Sequence, residues 1–177
     1  MVTGTLTVGT MPLGFSGTIS NDLPNTPRIL LKVTGAPADP YASWVSHYAL
    51  AGGNAAGTAD PDHDGMNNTN EFQAGFNPTN SAAYLHITNV AKSGANVNVT
   101  YLGASGDSTW SPGIAFRTNI LEVSPGRNGS YSNNFVSTGV SQVLSNGTGL
   151  GLSSTMTEVG GATAGTNRYY RVRVVAP

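Results

Sequence analysis

Carboxylates recur at regular spacing in one twelve-residue stretch of the chain. It reads Asp60-Pro-Asp62-His63-Asp64-Gly65-Met66-Asn67-Asn68-Thr69-Asn70-Glu71. The stretch fits the calcium-loop template, which has Asp at position 1, Asp or Asn at positions 3 and 5, Gly at position 6 and Glu at position 12. All of these side chains offer hard oxygen donors, and the chain has no cysteine. This donor set favours calcium over zinc or copper.

Each predicted ligand has a defined place around the ion. The side chains at positions 1, 3 and 5 of a tight turn converge on one point, and the glycine at position 6 allows the chain to reverse. Position 7 offers its main-chain carbonyl, position 9 acts directly or through water, and the glutamate adds two oxygens. The predicted ligands of the Ca²⁺ ion are Asp60, Asp62, Asp64, Met66, Asn68 and Glu71. His63 falls between ligand positions and is predicted to be exposed.

A solvated turn without an ion is the alternative interpretation, because Asp and Asn populate turns in any case. The spacing argues against it. Four of the nine acidic residues of the chain lie within this stretch. Without a cation these carboxylates would repel one another or raise each other's pKa, and a bound divalent ion removes that penalty.

Two helices are predicted to flank the loop. Asp39 is a favourable N-cap and Pro40 occupies the first helical position of a helix that continues to about Leu50. Its aromatic stripe is predicted to face the core, and its single histidine to face away. That stripe consists of Tyr41, Trp44, Val45 and Tyr48, with His47 on the opposite face.

The second helix is predicted over about 68–74, after the loop. Phe72 is expected to point inward, Gly75 to act as the C-cap, and Pro78 to prevent any continuation.

The rest of the chain has the two-residue alternation of β-strands. Val2–Val8, 15–19 and Arg28–Thr34 are predicted N-terminal strands, too few to fold on their own. Six further strands are predicted, at 84–90, 96–102, 113–120, 134–144, 153–159 and 168–175. Turns such as Ser124–Gly129 separate them, a pattern typical of an antiparallel β-sandwich.

The predicted fold class is therefore mainly β. We expect an antiparallel β-sandwich with N-terminal β-strands and a small calcium-binding helix-loop-helix insert. Three units follow: an N-terminal β-strand segment at 1–37, the helix-loop-helix unit at 38–81 and the β-sandwich at 82–177. The chain opens in a strand-like pattern without a signal segment, so we expect it to be a portion of a longer precursor.

Composition limits the classes of partner. Only 10% of the residues are charged and the formal net charge is −1. Scattered basic residues of this number do not form a nucleic-acid footprint, and no apolar run is long enough to span a membrane. The Gly-, Thr-, Ser- and Asn-rich composition favours an extracellular or cell-surface protein. With no cysteine available for disulfides, calcium is the expected substitute for a covalent cross-link.

Motifs of catalysis are missing from the sequence. It contains no Gly-x-Ser-x-Gly elbow, no HExxH motif, no phosphate-binding loop and no cysteine nucleophile. We therefore predict no catalytic residue and no enzyme activity.

Residues 60–81 resemble a thrombospondin type 3-like calcium segment common in secreted, repeat-rich proteins of Verrucomicrobia- and Planctomycetes-type bacteria, written DPDGDGLTNxxEYxxGTDPTxxxS. The match covers the loop, then Glu71-Phe72 and 74–81, with His63 in place of the usual glycine. In that family a Trp/Tyr helix precedes the segment, and a β-sandwich ending in a phrase like FYRVRV follows. This chain ends with Arg168-Tyr-Tyr-Arg-Val-Arg-Val174.

This resemblance implies calcium binding and an extracellular location, but no single activity. The implied ligands are Asp60, Asp62, Asp64, Met66 and Glu71. Because regulatory EF-hands are normally paired, a single EF-hand-like loop indicates a structural ion.

Two functions remain open at this point. The favoured one is a calcium-stabilised structural protein that polymerises head to tail with copies of itself. In it, Val2–Val8 adds as a strand to a neighbouring sandwich. The alternative is a calcium-braced carbohydrate-binding or adhesion module of a larger secreted protein. In that module Trp110, Tyr131 and Phe135 would present rings to polysaccharide.

Overall fold

A computed structural model describes residues 9, 16–21, 29–34, 39–127, 130–131, 133–163 and 167–175. Its strands are β1 (Ser16–Asn21), β2 (Ile29–Thr34), β3 (His86–Ser93), β4 (Asn96–Gly103), β5 (Phe116–Arg127), β6 (Ser130–Tyr131), β7 (Val136–Ser145), β8 (Leu152–Glu158) and β9 (Arg168–Val175). The α-helices are α1 (Pro40–His47) and α2 (Asn68–Ala74), with a 3-10 helix at Gly52–Ala55 between them. The predicted strand Val2–Val8 lies outside the described residues.

All sheets of the described chain are antiparallel, so the prediction of a mainly β protein is confirmed. β1 and β2 form a two-stranded sheet. A second sheet has the order β3-β4-β8. In the third sheet β5 is central, because it pairs with β6, β7 and β9.

The main core lies where side chains of these two larger sheets meet. The sequence of β4 explains why this strand contributes to the core. Val97, Val99 and Tyr101 are buried, while Asn98 and Thr100 between them are only half-buried. This alternation gives the strand one apolar face. The apolar face of β4 forms one buried cluster with residues of three other strands, Leu121, Leu144 and Met156.

The predicted turn at Ser124–Gly129 is wrong over its first four residues, because β5 continues to Arg127. Pairing with two other strands, β6 and β9, stabilises this end of β5. Pro125 pairs with Arg168 of β9, and Gly126 pairs with Tyr131 of β6. Proline and glycine indicate a turn when read locally, but the adjacent strands override this preference.

The helix caps agree with the sequence prediction. Oδ1 of Asp39 accepts a hydrogen bond from the main-chain N–H of Tyr41 at 3.0 Å. α1 ends at His47, earlier than the predicted end near Leu50. α2 has the predicted bounds, and Gly75 caps it in the left-handed region with φ 76°. A Cβ on Gly75 would also lie 2.6 Å from the Cα of Gly106, so this position requires glycine for two reasons.

An aromatic cluster joins the helices to the β-sheet region. Trp44 of α1 is fully buried, and its ring lies 5.7 Å from that of Phe72 of α2 in an edge-on arrangement. The Phe72 ring is 5.8 Å from that of Trp110, which is 7% exposed. The predicted core-facing stripe is confirmed, and Trp110 belongs to the same interior cluster. Trp110 therefore cannot serve as an exposed platform for a sugar.

Polar contacts also fasten the helices to the sheets. The Tyr48 hydroxyl donates to Oδ2 of the fully buried Asp107. Oδ1 of that carboxylate accepts from the Thr109 hydroxyl at 2.6 Å, and the same hydroxyl lies 3.1 Å from Nε2 of His47. His47 therefore contacts the loop that carries Thr109. Helical spacing placed His47 opposite the apolar stripe but could not show that the loop carrying Thr109 folds against that face.

Further along, the main-chain N–H of Asn77 donates to the carbonyl of Gly149 at 2.8 Å, and the Arg117 guanidinium donates to the carbonyl of Gln73. The helices thus pack directly on the β-strand region. No helix of the described chain has both the length and the apolar character needed to cross a membrane.

Candidate metal centre

The three aspartates of the loop converge as the spacing predicts. One carboxylate oxygen from each of Asp60, Asp62 and Asp64 lies within 4.8 Å of the others. The turn itself is held by Asp60, whose oxygens accept from the N–H groups of His63 at 2.8 Å and Gly65 at 3.1 Å. Gly65 has φ 95°, which explains the need for glycine at the sixth position. The predicted exposure of His63 is confirmed.

Six side-chain oxygens around this turn are buried and accept no hydrogen bond. They are both carboxylate oxygens of Asp62, Oδ2 of Asp64, Oδ1 of Asn68 and both carboxylate oxygens of Glu71. Buried polar atoms nearly always have a partner, because leaving one unpaired costs about 1–3 kcal/mol. Six in one region therefore suit an electropositive group. A cation fits this requirement, because it supplies one interaction to several oxygens at once.

Glu71 is the most informative residue of the group. It is fully buried on α2, whereas the aspartates are half-buried. The pKa of Glu71 is raised to about 8, chiefly by burial and then by the charges of Asp62, Asp64 and Asp60 in that order. Its oxygens fall outside the 4.8 Å group of the aspartates. The structure thus brings three predicted carboxylate ligands together. The fourth, Glu71, lies outside this group but close enough for the charges of the aspartates to raise its pKa.

Burial is also the main cause of raised pKa values at two of the aspartates. The pKa of Asp62 is raised by burial and by the charge of Asp60. The pKa of Asp64 is raised by burial and by the charges of both other aspartates, although the N–H of Met66 donates to its Oδ1 at 2.7 Å. Asp62 and Asp64 thus lie in an environment that disfavours their charge.

Asn68 connects the centre to the chain before the loop. Its Nδ2 donates to the carbonyls of Asn54 at 2.7 Å and Ala56 at 2.8 Å, so its amide orientation is determined. Oδ1 is then left buried without a partner. The two hydrogen bonds that Nδ2 donates could not be predicted from the loop template, which assigns only a ligand oxygen to this position.

Met66 has a second role that the loop template does not contain. Its predicted ligand is the main-chain carbonyl, and its side chain packs beside the small cluster that includes Phe76 and Ala83. The sulfur of Met66 accepts from the N–H of Leu85 at 3.4 Å. The side chain therefore links the loop to the segment that enters β3.

The donor set fits a hard divalent cation. Three converging carboxylates, a buried glutamate and an amide oxygen are the ligand types that calcium and magnesium prefer. If bound here, the ion would contribute charge neutralisation and a geometric constraint on the turn.

The aromatic residues considered for polysaccharide do not form one platform among the described atoms. Trp110 belongs to the interior cluster. The ring of Phe135 lies beneath the Arg171 guanidinium, 4.4 Å from its carbon. The side chain of Tyr131 lies outside the described atoms.

Comparison with known proteins does not add to these observations. No family model, no curated protein and no solved structure matches the chain. The resemblance to thrombospondin type 3-like segments therefore remains a prediction from the sequence.

The raised pKa of Glu71 predicts a pH dependence in the calcium-free protein. This carboxyl has an ordinary pKa of 4.5 and a folded-state pKa of about 8, so the folded state holds the proton more tightly. Its stabilising contribution is complete below pH 4.5 and is lost as the pH rises through 8. We expect the free energy of unfolding to fall over this window by up to about 1.4 kcal/mol per pH unit.

Urea denaturation in calcium-depleted buffers at several pH values measures this slope. The fall should disappear in saturating calcium, because the ion keeps the carboxylate charged and paired. A calcium-free protein whose stability rises between pH 5 and 8 would contradict this account of Glu71.

Proposed function

We propose that the chain is a calcium-stabilised extracellular structural protein, in which a helix-loop-helix insert braces an antiparallel β-sandwich. The observation that carries this proposal is the set of six buried, unpaired oxygens around the loop. Calcium is favoured over magnesium because it accepts more oxygen ligands in a flexible shell, whereas magnesium retains several waters. The contacts from both helices to the β-strand region support a bracing role.

Isothermal titration calorimetry tests the metal directly. We expect one calcium ion per chain and much weaker binding of magnesium. Asp62→Asn removes one carboxylate charge from the converging group and should weaken calcium binding at least about tenfold, because charge count sets affinity in such loops. Asp39→Asn is the matched control, since Asp39 is an exposed N-cap residue and Asn caps equally well. Equal calcium affinity for the two variants would exclude the loop as the site.

We also propose that the protein assembles with copies of itself through strand addition. The supporting observation is the two-stranded sheet of β1 and β2, on which Leu31 is 56% and Val33 is 48% exposed. A sheet of two strands is only marginally stable in water, so it gains from a further partner. Val2–Val8 precedes it and has the alternation of a strand. A head-to-tail contact of this kind does not close and therefore builds a filament.

Removing residues 1–9 tests the assembly. We expect the full chain to sediment as oligomers in calcium and the truncated chain to sediment as a monomer, because the added strand supplies the main-chain hydrogen bonds of the contact. Thr5→Ser in the full chain is a control that keeps a strand of the same polarity. If the truncated chain still polymerises, strand addition by this segment is wrong.

A further inference from the structure

Met66 lies where the metal-binding loop meets the β-strand region. Its main-chain carbonyl is a predicted calcium ligand, and its main-chain N–H donates to Oδ1 of Asp64 at 2.7 Å. Its side chain packs against the small buried cluster that includes Ala74 and Phe76. Met66 therefore belongs both to the turn that carries the aspartates and to the packing that holds this turn in place.

The side chain of Met66 also lines a cavity of about 310 Å³ beside α2. The other residues that line this cavity are Asn70, Gln73, Ala74, Leu85 and Val174. Asn70 and Gln73 are exposed, so the cavity is open to solvent on the side of α2. Met66 itself is half-buried, and a solute as small as hydrogen peroxide therefore has a route to its thioether.

The sulfur of Met66 keeps a lone pair for reaction. A thioether sulfur has two lone pairs and is only a weak acceptor of hydrogen bonds. The N–H of Leu85 donates to one of them at 3.4 Å, and the other is not needed for this contact. Met156, the other methionine of the described chain, is 3% exposed and lies in the main core cluster. The two sulfurs thus differ in their access to solvent.

We propose that Met66 is a site of reversible oxidation by peroxides, and that its oxidation weakens calcium binding at the loop. The proposal rests on the metal centre proposed above and adds its regulation. In the reaction, a sulfur lone pair attacks one oxygen of hydrogen peroxide, so that an S–O bond forms and the O–O bond breaks. The sulfur is oxidised by two electrons. The proton of the attacked oxygen passes to the leaving hydroxide, and the products are methionine sulfoxide and one water molecule.

A sulfoxide at this position does not keep the packing of the thioether. Oxidation turns an apolar side chain into a polar one, whose oxygen accepts hydrogen bonds. The amides of Asn70 and Gln73 at the cavity supply N–H donors for that oxygen, whereas Ala74 and Phe76 supply none from their side chains. The side chain then leaves the cluster, and the loop loses its link to the segment that enters β3. Because calcium must order this looser loop, its affinity falls by about two- to tenfold.

Peroxide treatment followed by peptide mass spectrometry tests the site. The calcium-loaded protein is exposed to dilute hydrogen peroxide, quenched with catalase at several times and digested. We expect the peptide that contains Met66 to gain one oxygen atom at least about tenfold faster than the peptide that contains Met156, because the core protects the second sulfur. Treatment in concentrated urea is the control, in which the two sulfurs should react at similar rates.

Calcium titration calorimetry before and after treatment tests the consequence. Calcium affinity should fall by about two- to tenfold in the natural protein and in Met156→Leu, and it should recover when methionine sulfoxide reductases remove the oxygen. Met66→Leu has a side chain of similar volume but no sulfur. Compared with its own untreated sample, this variant should lose no affinity on treatment, although it retains the other methionines.

The outcomes distinguish this inference from the metal centre itself. Untreated protein that binds no calcium overturns the metal centre and its regulation together. If the untreated protein binds calcium, three results overturn the regulation alone: Met66 reacts no faster than Met156, the oxidised protein keeps its affinity, or Met66→Leu loses affinity to the same extent. A fall in affinity that is confined to the proteins containing Met66, and that the reductases reverse, supports the inference.

Discussion

Removing calcium is expected to lower the melting temperature of the protein by about 8–16 °C. An ion present at a thousand times its dissociation constant, and bound only by the folded state, stabilises that state by about 4 kcal/mol. For a domain of roughly 150–250 residues, each kcal/mol shifts the melting temperature by about 2–4 °C. Circular dichroism melts at pH 7.5, with calcium and with excess chelator, measure the shift.

The physical cause is the crowding of charge in the loop. Carboxylate oxygens of Asp60, Asp62 and Asp64 lie within 4.8 Å of one another. At that distance two unit charges repel by about 3 kcal/mol at an effective dielectric constant of about 20. Glu71 adds a fully buried carboxylate to the same field. We expect the folded chain to relieve this repulsion by taking up protons or a cation, and we expect the cation to dominate at neutral pH.

Glu71→Gln distinguishes the contribution of the ion to the melting temperature from that of the rest of the fold. Glutamine has nearly the same shape but carries no charge, so its melting temperature should be insensitive to chelator. In chelator at pH 8, this variant should also melt above the natural protein, because it lacks the buried negative charge. Glu122→Gln is not a suitable control, since Glu122 binds Arg171 and Arg173. Asp39→Asn is suitable and should retain the full response to calcium. A natural protein unaffected by chelator would refute a stabilising ion.

The convergence of the loop aspartates could be predicted from the sequence because every constraint on it is local. Alternate side chains of a tight turn meet whatever the rest of the chain does, and Gly65 and Gly75 have the positive φ values that their positions in the pattern indicate. The positions of the strands could be predicted from the sequence for the same reason. In β4, for example, Val97, Val99 and Tyr101 stand at alternate positions, and this alternation by itself indicates one buried face.

Features that depend on distant partners could not be predicted. The Tyr48 hydroxyl and Asp107 are 59 residues apart in sequence, and His47 and Thr109 are 62 residues apart. The continuation of β5 through Pro125 depends on β6 and β9, which come later in the chain. The one signal of these contacts in the sequence was Asp107, an isolated acid in a chain with few charges. Because it is buried, its carboxylate requires hydrogen-bond donors from other side chains.

Trp44→Ala is expected to destabilise the protein by about 3–5 kcal/mol, the usual effect of removing a fully buried large aromatic side chain. Urea denaturation in saturating calcium measures this loss. Leu150→Ala is the matched control, because Leu150 is 50% exposed and its loss should change the free energy of unfolding by less than about 0.5 kcal/mol.

Calcium affinity should also fall in Trp44→Ala, although Trp44 is not a predicted ligand. Its ring contacts Phe72, the residue that follows Glu71 on α2. Removing the ring leaves α2 less firmly held, and Glu71 must then be ordered when the ion binds. Ordering a side chain on binding weakens affinity by about 0.5–1.5 kcal/mol. Calorimetry should therefore show a reduced affinity with unchanged stoichiometry. If Trp44→Ala binds calcium as tightly as the natural chain, the packing of the helices does not determine the geometry of the metal centre, and the loop organises the ion by itself.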